Sequence, residues 1–210
     1  MSRSADLSAD ALTAADPVGA AHLVLGAVLS AGDVRLRIVE VEAYGGDPAG
    51  PWPDPAAHSF PGPTARNAVM FGPAGRLYVY LSHGLHFCMN VTCAPPGTAG
   101  AVLLRAGEVL GGEEVARGRR GPKRGWRELA RGPGNFGQAT GITLADNGSD
   151  LFDPESPIRL GPGPAVPVAS GPRVGIAHAA DRRWRLWDPT STAVSAYRRS
   201  PRAPVGPSAG

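Results

Sequence analysis

The stretch Val34-Arg-Leu-Arg-Ile-Val-Glu-Val-Glu-Ala-Tyr44 decides the fold class. Apolar and charged side chains alternate along it, and Val and Ile are frequent. Both features predict a β-strand over Val34–Tyr44. Regular alternation puts Val34, Leu36, Ile38, Glu40, Glu42 and Tyr44 on one face, and Arg35, Arg37, Val39, Val41 and Ala43 on the other. The polar half of each face changes along the strand, which predicts that the strand leaves the core at one end. Glu40 and Glu42 then share a face, about 7 Å apart. A second strand, Ala101–Gly107 (AVLLRAG), carries Arg105 after four apolar residues. An unpaired charge in such a strand is costly to desolvate, so Arg105 calls for a carboxylate or a phosphate. A Glu–Arg bridge would tie two strands together. A carboxylate held by Arg could instead activate a water. With two Glu available, each can do one of these jobs.

Outward from these strands the elements are short. Leu77–Leu81 and Phe87–Thr92 read as strands around a hairpin at Ser82-His83-Gly84. Asp16-Pro17 reads as a helix start, with the helix running from Pro17 to about Gly26. Further short helices are predicted from Thr64 through Met70, over Glu113–Arg117 and over Trp126–Arg131. Gly132-Pro133 breaks the last of these and Asn135–Gly141 resumes it. Strand-like pieces follow at Ile158–Leu160, Val166–Ala169 and Arg173–Ile176. Residues 45–63 form a Gly/Pro loop of nearly twenty residues, a length that is functional or disordered inside a compact domain. The segment 1–15 is predicted to fray, 16–197 to form one domain, and 198–210 to be a disordered tail.

Composition agrees with a loop-rich, mixed α/β fold. The 210 residues include 29 Gly and 22 Pro, too many for a helical bundle. No apolar run approaches the ~20 residues of a membrane span, and the N-terminus lacks the apolar stretch of a secretory signal. Two cysteines, Cys88 and Cys93, point to a reducing, cytoplasmic setting. Net charge is only +3, but residues 117–131 carry seven basic residues against one Glu. Residues 181–202 carry six Arg against two Asp. Such segments suit a polyanion or a solvated surface. His83, His86, Cys88 and Cys93 match no common metal-ligand spacing, so no metal is expected. No cofactor fingerprint such as GxGxxG is present. Seven of the 13 aromatic residues concentrate in residues 44–87, where Tyr78 and Tyr80 share a strand face. They suit either core packing or a stacking pocket for a planar ligand.

The ordered strings IVEVEAY, AAHS, TARNAVMF, GRLYVYLSHGLHFCMN, AVLLRAGE, RELARGPGNFGQATGI and RVGIAHAADRRWRLW resemble the 3-methyladenine (alkyladenine) DNA glycosylase family over about residues 14–190. The resemblance implies one compact α/β domain with a curved antiparallel sheet and no metal. It implies a partner, double-stranded DNA carrying damaged purines, and a monomer that acts in the cytoplasm or on the nucleoid. The damaged nucleotide is flipped out and its N-glycosidic bond is hydrolysed. Glu42 takes the base position, and Arg105 and the carbonyl of Val174 hold the water, leaving Glu40 a structural role. Tyr44, His58 and Tyr80 match the walls that stack on the base, and Asn90 matches a residue that crowds the amine of guanine. His83 and Leu85 match the turn that wedges into the minor groove, with Thr64 and Arg66 as backbone contacts. Where well-known members carry Tyr at the turn, this chain carries His83. Phe60-Pro61 and Asn135 replace basic residues of the family. Cleavage of the strand through a Schiff base needs an amine, and the sole lysine, Lys123, is remote in sequence from these motifs. A non-catalytic DNA-binding protein on the same fold and a metal hydrolase using His83 and His86 are the rival readings.

Overall fold

The computed structural model describes residues 7–204. The ends of the two predicted terminal segments, 1–6 and 205–210, lie outside the described residues. The chain opens with α1 (Ala9–Ala14), capped by Ser8, and α2 (Pro17–Val24), capped by Asp16. Residues 9–14 therefore form a helix where the composition suggests fraying, because Leu12 is fully buried and anchors it. Strands β1 (Val28–Ala31), β2 (Val34–Tyr44), β3 (Leu77–Ser82), β4 (His86–Thr92) and β5 (Ala101–Gly111) follow. Then come α3 (Glu113–Arg120), β6 (Ala130–Arg131), α4 (Pro133–Thr140), β7 (Ile158–Gly161), β8 (Ala169–Gly171) and β9 (Arg185–Trp187). The strands make one curled antiparallel sheet in the order β3-β4-β5-β2-β1-β7, with β6 on β5 and the β8–β9 pair on β2.

The central strand β2 has the predicted limits but not the predicted faces. Ile38 pairs with Gly107 and Glu40 with Ala106, so Val39 is an extra residue in β2; Val41 then pairs with Leu104, so Arg105 is extra in β5. These facing bulges shift the alternation by one residue. Val34, Leu36 and Ile38 before the shift, and Val41 and Ala43 after it, all enter the same apolar core. The strand does not leave the core. Instead Glu40 and Glu42 are turned to the opposite face, where Val39 packs with Ala106 and Ala193. The core lies between the sheet and the four helices, with Val24, Ala116, Phe136 and Ala139 packed against Leu36, Met89 and Leu104.

Several other boundaries differ from expectation. Pro133 begins α4 rather than interrupting a helix, since a first-turn residue needs no N–H partner. Trp126–Glu128 is a single 3-10 turn, and Ala130–Arg131 pairs with β5. Thr64 caps no helix; it exchanges hydrogen bonds with Asn67 ahead of a 3-10 turn at Ala68–Phe71. Residues 173–176 are irregular, with Gly175 at φ +72°, and the strand of that region is β9.

Candidate active site

Glu42 and Arg105 meet on the sheet face opposite the helices. Arg105 Nη1 lies 3.3 Å from Glu42 Oε2, and its Nε donates to Glu40 Oε1 at 2.8 Å. The Glu–Arg bridge between the two strands is thus present, and Arg105 makes it to both glutamates. Glu40 is the structural member: it also accepts from Arg185 Nε (2.7 Å) and from the N–H (2.7 Å) and hydroxyl (2.8 Å) of Ser195. Burial alone would raise the Glu40 carboxyl, but Arg105 and Arg185 outweigh it and hold it below the usual range. Arg185 and Ser195 carry no sequence signal of this role; they arrive from 145 and 155 residues away.

Glu42 has three donors. The Val174 N–H reaches Oε1 at 2.7 Å, while the Tyr44 hydroxyl (2.9 Å) and Arg105 share Oε2. The Val174 N–H contact was not foreseen, the sequence reading having used its carbonyl. Burial, then the neighbouring Glu42 carboxylate, push the Tyr44 phenol well above the usual range, so it remains a donor. Glu42 itself is fully buried. Tyr44, Arg105 and Val174, its three partners, form part of the wall of a cavity of about 670 Å³.

The same cavity collects the other predicted pocket residues. His58, Tyr80 and Asn90 line it, as do Arg66 and His83. His58 and Tyr80 pack edge to face at 4.5 Å, and His58 Nδ1 sits 3.2 Å from the Tyr78 hydroxyl. Partial burial, then the nearby Arg66, lower the His58 pKa, which favours the neutral imidazole. Asn90 is pinned by its amide, which donates to the Tyr78 carbonyl at 3.1 Å. The long loop 45–63 is ordered: Asp54 accepts from the Gly45 and Ala56 N–H groups, Ser59 donates to the Gly45 carbonyl, and Asn67 donates to the His58 carbonyl. The loop therefore positions His58.

The hairpin between β3 and β4 stands at the cavity rim. His83 and Gly84 both have positive φ (+50° and +68°), and the Leu85 N–H returns to the Ser82 carbonyl, a tight turn of type I′. Leu85 projects from it with 77 % of its surface exposed. Thr64 is exposed beyond the cavity. Gly132, which caps α4, and its first residues Pro133 to Asn135 also line the cavity; of these the sequence singles out only Asn135. Among the described residues, no group of three or more His, Cys, Asp or Glu side chains is placed to hold a metal ion.

The model of the methylpurine-DNA glycosylase family matches residues 11–192. A relative from Nocardia farcinica, provisionally named a 3-methyladenine DNA glycosylase, is 66 % identical over 192 residues, 90 % of this chain and 91 % of its own. Relatives with the same provisional name occur in Rhodococcus jostii (61 % over 198 residues; 94 % and 89 % covered) and Mycobacterium tuberculosis (60 % over 192 residues; 91 % and 95 %). With a family match over most of its length and relatives at this identity, the chain belongs to the methylpurine-DNA glycosylase family.

Proposed function

We propose that this protein is a monofunctional DNA glycosylase that flips an alkylated purine out of duplex DNA and hydrolyses its N-glycosidic bond with a water activated by Glu42. The observation that carries this reading is the carboxylate of Glu42, bonded to three residues of the cavity wall, Tyr44, Arg105 and Val174. A carboxylate offers about four acceptor sites. Three are occupied, and the one left, on Oε1, is the place for a water. The water gives its proton to Glu42 while its oxygen bonds to C1′ of the sugar. The C1′–N bond breaks, its electron pair leaves with the base, and an abasic site remains. Negative charge on Glu42 stabilises the positive charge that develops on the sugar. Arg105 and the Val174 carbonyl orient the water.

The base stacks between Tyr44 and the His58–Tyr80 pair, and an electron-poor alkylated purine gains most from those rings. Asn90, held rigid, disfavours the amine of guanine. Leu85 fills the gap left in the helix, as an apolar wedge on a rigid turn would. His83, Thr64 and Arg66 contact the backbone. Lys123 lies on an exposed loop outside the cavity, which supports hydrolysis by water over a Schiff base. The protein works as a monomer, with 3-methyladenine, hypoxanthine and ethenoadenine as the substrates to compare.

One observation favours a non-catalytic, damage-binding protein: Glu42 has no exposed surface. In the glycosylase reading the water is admitted to Glu42 only when the base enters the cavity. Single-turnover excision on duplexes carrying each lesion, with wild type and Glu42→Gln, separates the two. Release by wild type alone, with strand breaks only after alkali, supports the glycosylase. Binding without release from any duplex supports the alternative.

A further inference from the structure

Arg173 is 99 % buried, yet it touches neither the cavity nor solvent. Its Nη1 and Nη2 grip both oxygens of Asp54 at 2.5 and 2.8 Å, and Nη1 also donates to the Ala43 carbonyl at 3.0 Å. Its guanidinium lies over the Tyr44 ring at 4.6 Å and over Trp184 at 5.2 Å. Asp54 in turn accepts from the Gly45 N–H at 3.1 Å. One guanidinium thus fixes the backbone on both sides of Tyr44 and the face of its ring. The next residue along, Val174, supplies the N–H that holds Glu42. A buried ion pair is a poor way to gain stability, since desolvation offsets most of its attraction. Its value lies in geometry: a planar fork on a carboxylate fixes two chain segments in angle as well as distance.

We infer that Arg173, braced by Asp54, is a positioning residue that sets the Glu42 carboxylate and the Tyr44 ring against each other by fixing residues 43–45 and 173–174. The inference rests on the glycosylase reading for what those two side chains do. Arg173 touches no reacting atom; it acts through Tyr44 and through the Val174 N–H. Displacing a catalytic group by about 1 Å can cost roughly 100-fold in rate.

The test uses Arg173→Met, Arg173→Lys and the double variant Arg173→Met/Asp54→Asn. The single Met variant leaves Asp54 charged and buried with only the distant Arg182 (4.0 Å) as counter-charge, and is expected to melt well below wild type. The double variant removes both charges, and its melting temperature is expected to recover. If the pair positions the site, single-turnover excision by the double variant stays about 100-fold slow, while affinity for damaged duplex changes within about threefold. Arg173→Lys, a point charge without the fork, is expected to recover only part of the rate. A double variant that recovers both stability and rate overturns the inference. An NMR readout decides it independently of turnover. The Val174 amide proton, short-bonded to Glu42, is expected to shift upfield in the double variant in the same direction as in Glu42→Gln. An unmoved Val174 signal overturns the positioning role even if wild type proves inactive. Absence of excision by wild type itself counts against the glycosylase reading.

Discussion

Tyr44 reaches back along its own strand to donate its hydroxyl to Glu42, two residues earlier, at 2.9 Å. Residues i and i+2 share a strand face about 7 Å apart, so only a side chain as long as Tyr closes that gap. Ring and hydroxyl therefore have separable tasks. Tyr44→Phe is expected to keep the stacking surface and to bind damaged duplex like wild type. Tyr44→Ala is expected to lose about 1–3 kcal/mol of binding, the usual worth of one base–aromatic stack. Titration of an ethenoadenine duplex by fluorescence measures both, and equal losses in the two variants would refute the division.

Leu85 is largely exposed in the fold, so Leu85→Ala is expected to leave the melting temperature nearly unchanged. A wedge role makes it matter only on DNA. The flipped fraction of a lesion, read from base fluorescence, is then expected to fall about tenfold, the cost of a buried methyl group or two at the duplex. Excision from single-stranded DNA, which has no stack to fill, is expected to be far less affected.

Acid is expected to destabilise the protein through Glu40 and Asp54. Burial alone would raise both carboxyls, but their Arg partners and N–H donors hold both below the usual range. The unfolded chain therefore binds protons more readily than the folded one. These groups contribute stability fully above the unfolded carboxylate value of about 4, and lose it as pH falls through their lower folded values. Glu40→Gln, which leaves Arg105 and Arg185 short of their anion, is expected to cost about 3–5 kcal/mol at neutral pH. It is also expected to flatten the acid limb of melting temperature against pH.

His58 is expected to titrate below the ordinary histidine value near 6.5, because burial and then Arg66 disfavour its charge. Proton NMR of its ring would show this, and Arg66→Ala is expected to move the midpoint upward. A midpoint above 6.5 would refute the effect of burial and Arg66 on this ring.

Gly137 lies inside α4, where Gly→Ala ordinarily gains about 1 kcal/mol. Here an added Cβ would fall 2.1 Å from the Phe87 carbonyl of β4. The backbone of a central helix–strand contact cannot yield cheaply, so Gly137→Ala is expected to lower the denaturant midpoint. A rise would show that α4 can move off the sheet.

The charged parts of the strands were legible in the sequence because charge in an apolar strand demands a partner. VRLRIVEVEAY and AVLLRAG between them announce Glu40, Glu42 and Arg105, and the structure joins all three. The aromatic walls were half legible: clustering in residues 44–87 left core packing and a stacking pocket open, and only resemblance singled out Tyr44, His58 and Tyr80, which converge from a strand, a loop and a second strand. What stayed hidden depends on long-range contact. The bulge at Val39 cannot be seen by a reading that assumes regular alternation, and it inverts the faces of half the strand. Arg173, Asp54 and Arg185 look like surface polar residues until distant segments bury them, and Ser195, only half-buried, gives no sign of its contact with Glu40. Pro133 reads as a breaker or a starter, and only the packing of α4 on β4 and β5 decides which.

The distant donors to the two glutamates also impose an order in time. Val174, Arg185 and Ser195 lie 132, 145 and 155 residues after the carboxylates that they hold. At about 5–20 residues per second, a ribosome needs many seconds to cover that distance. Once β5 is made the sheet core can form, but Glu40 still lacks Arg185 and Ser195, and Glu42 lacks the Val174 N–H. The nascent chain thus carries a nearly finished scaffold around an incomplete Glu40–Glu42 network, which closes only when residues 173–195 dock.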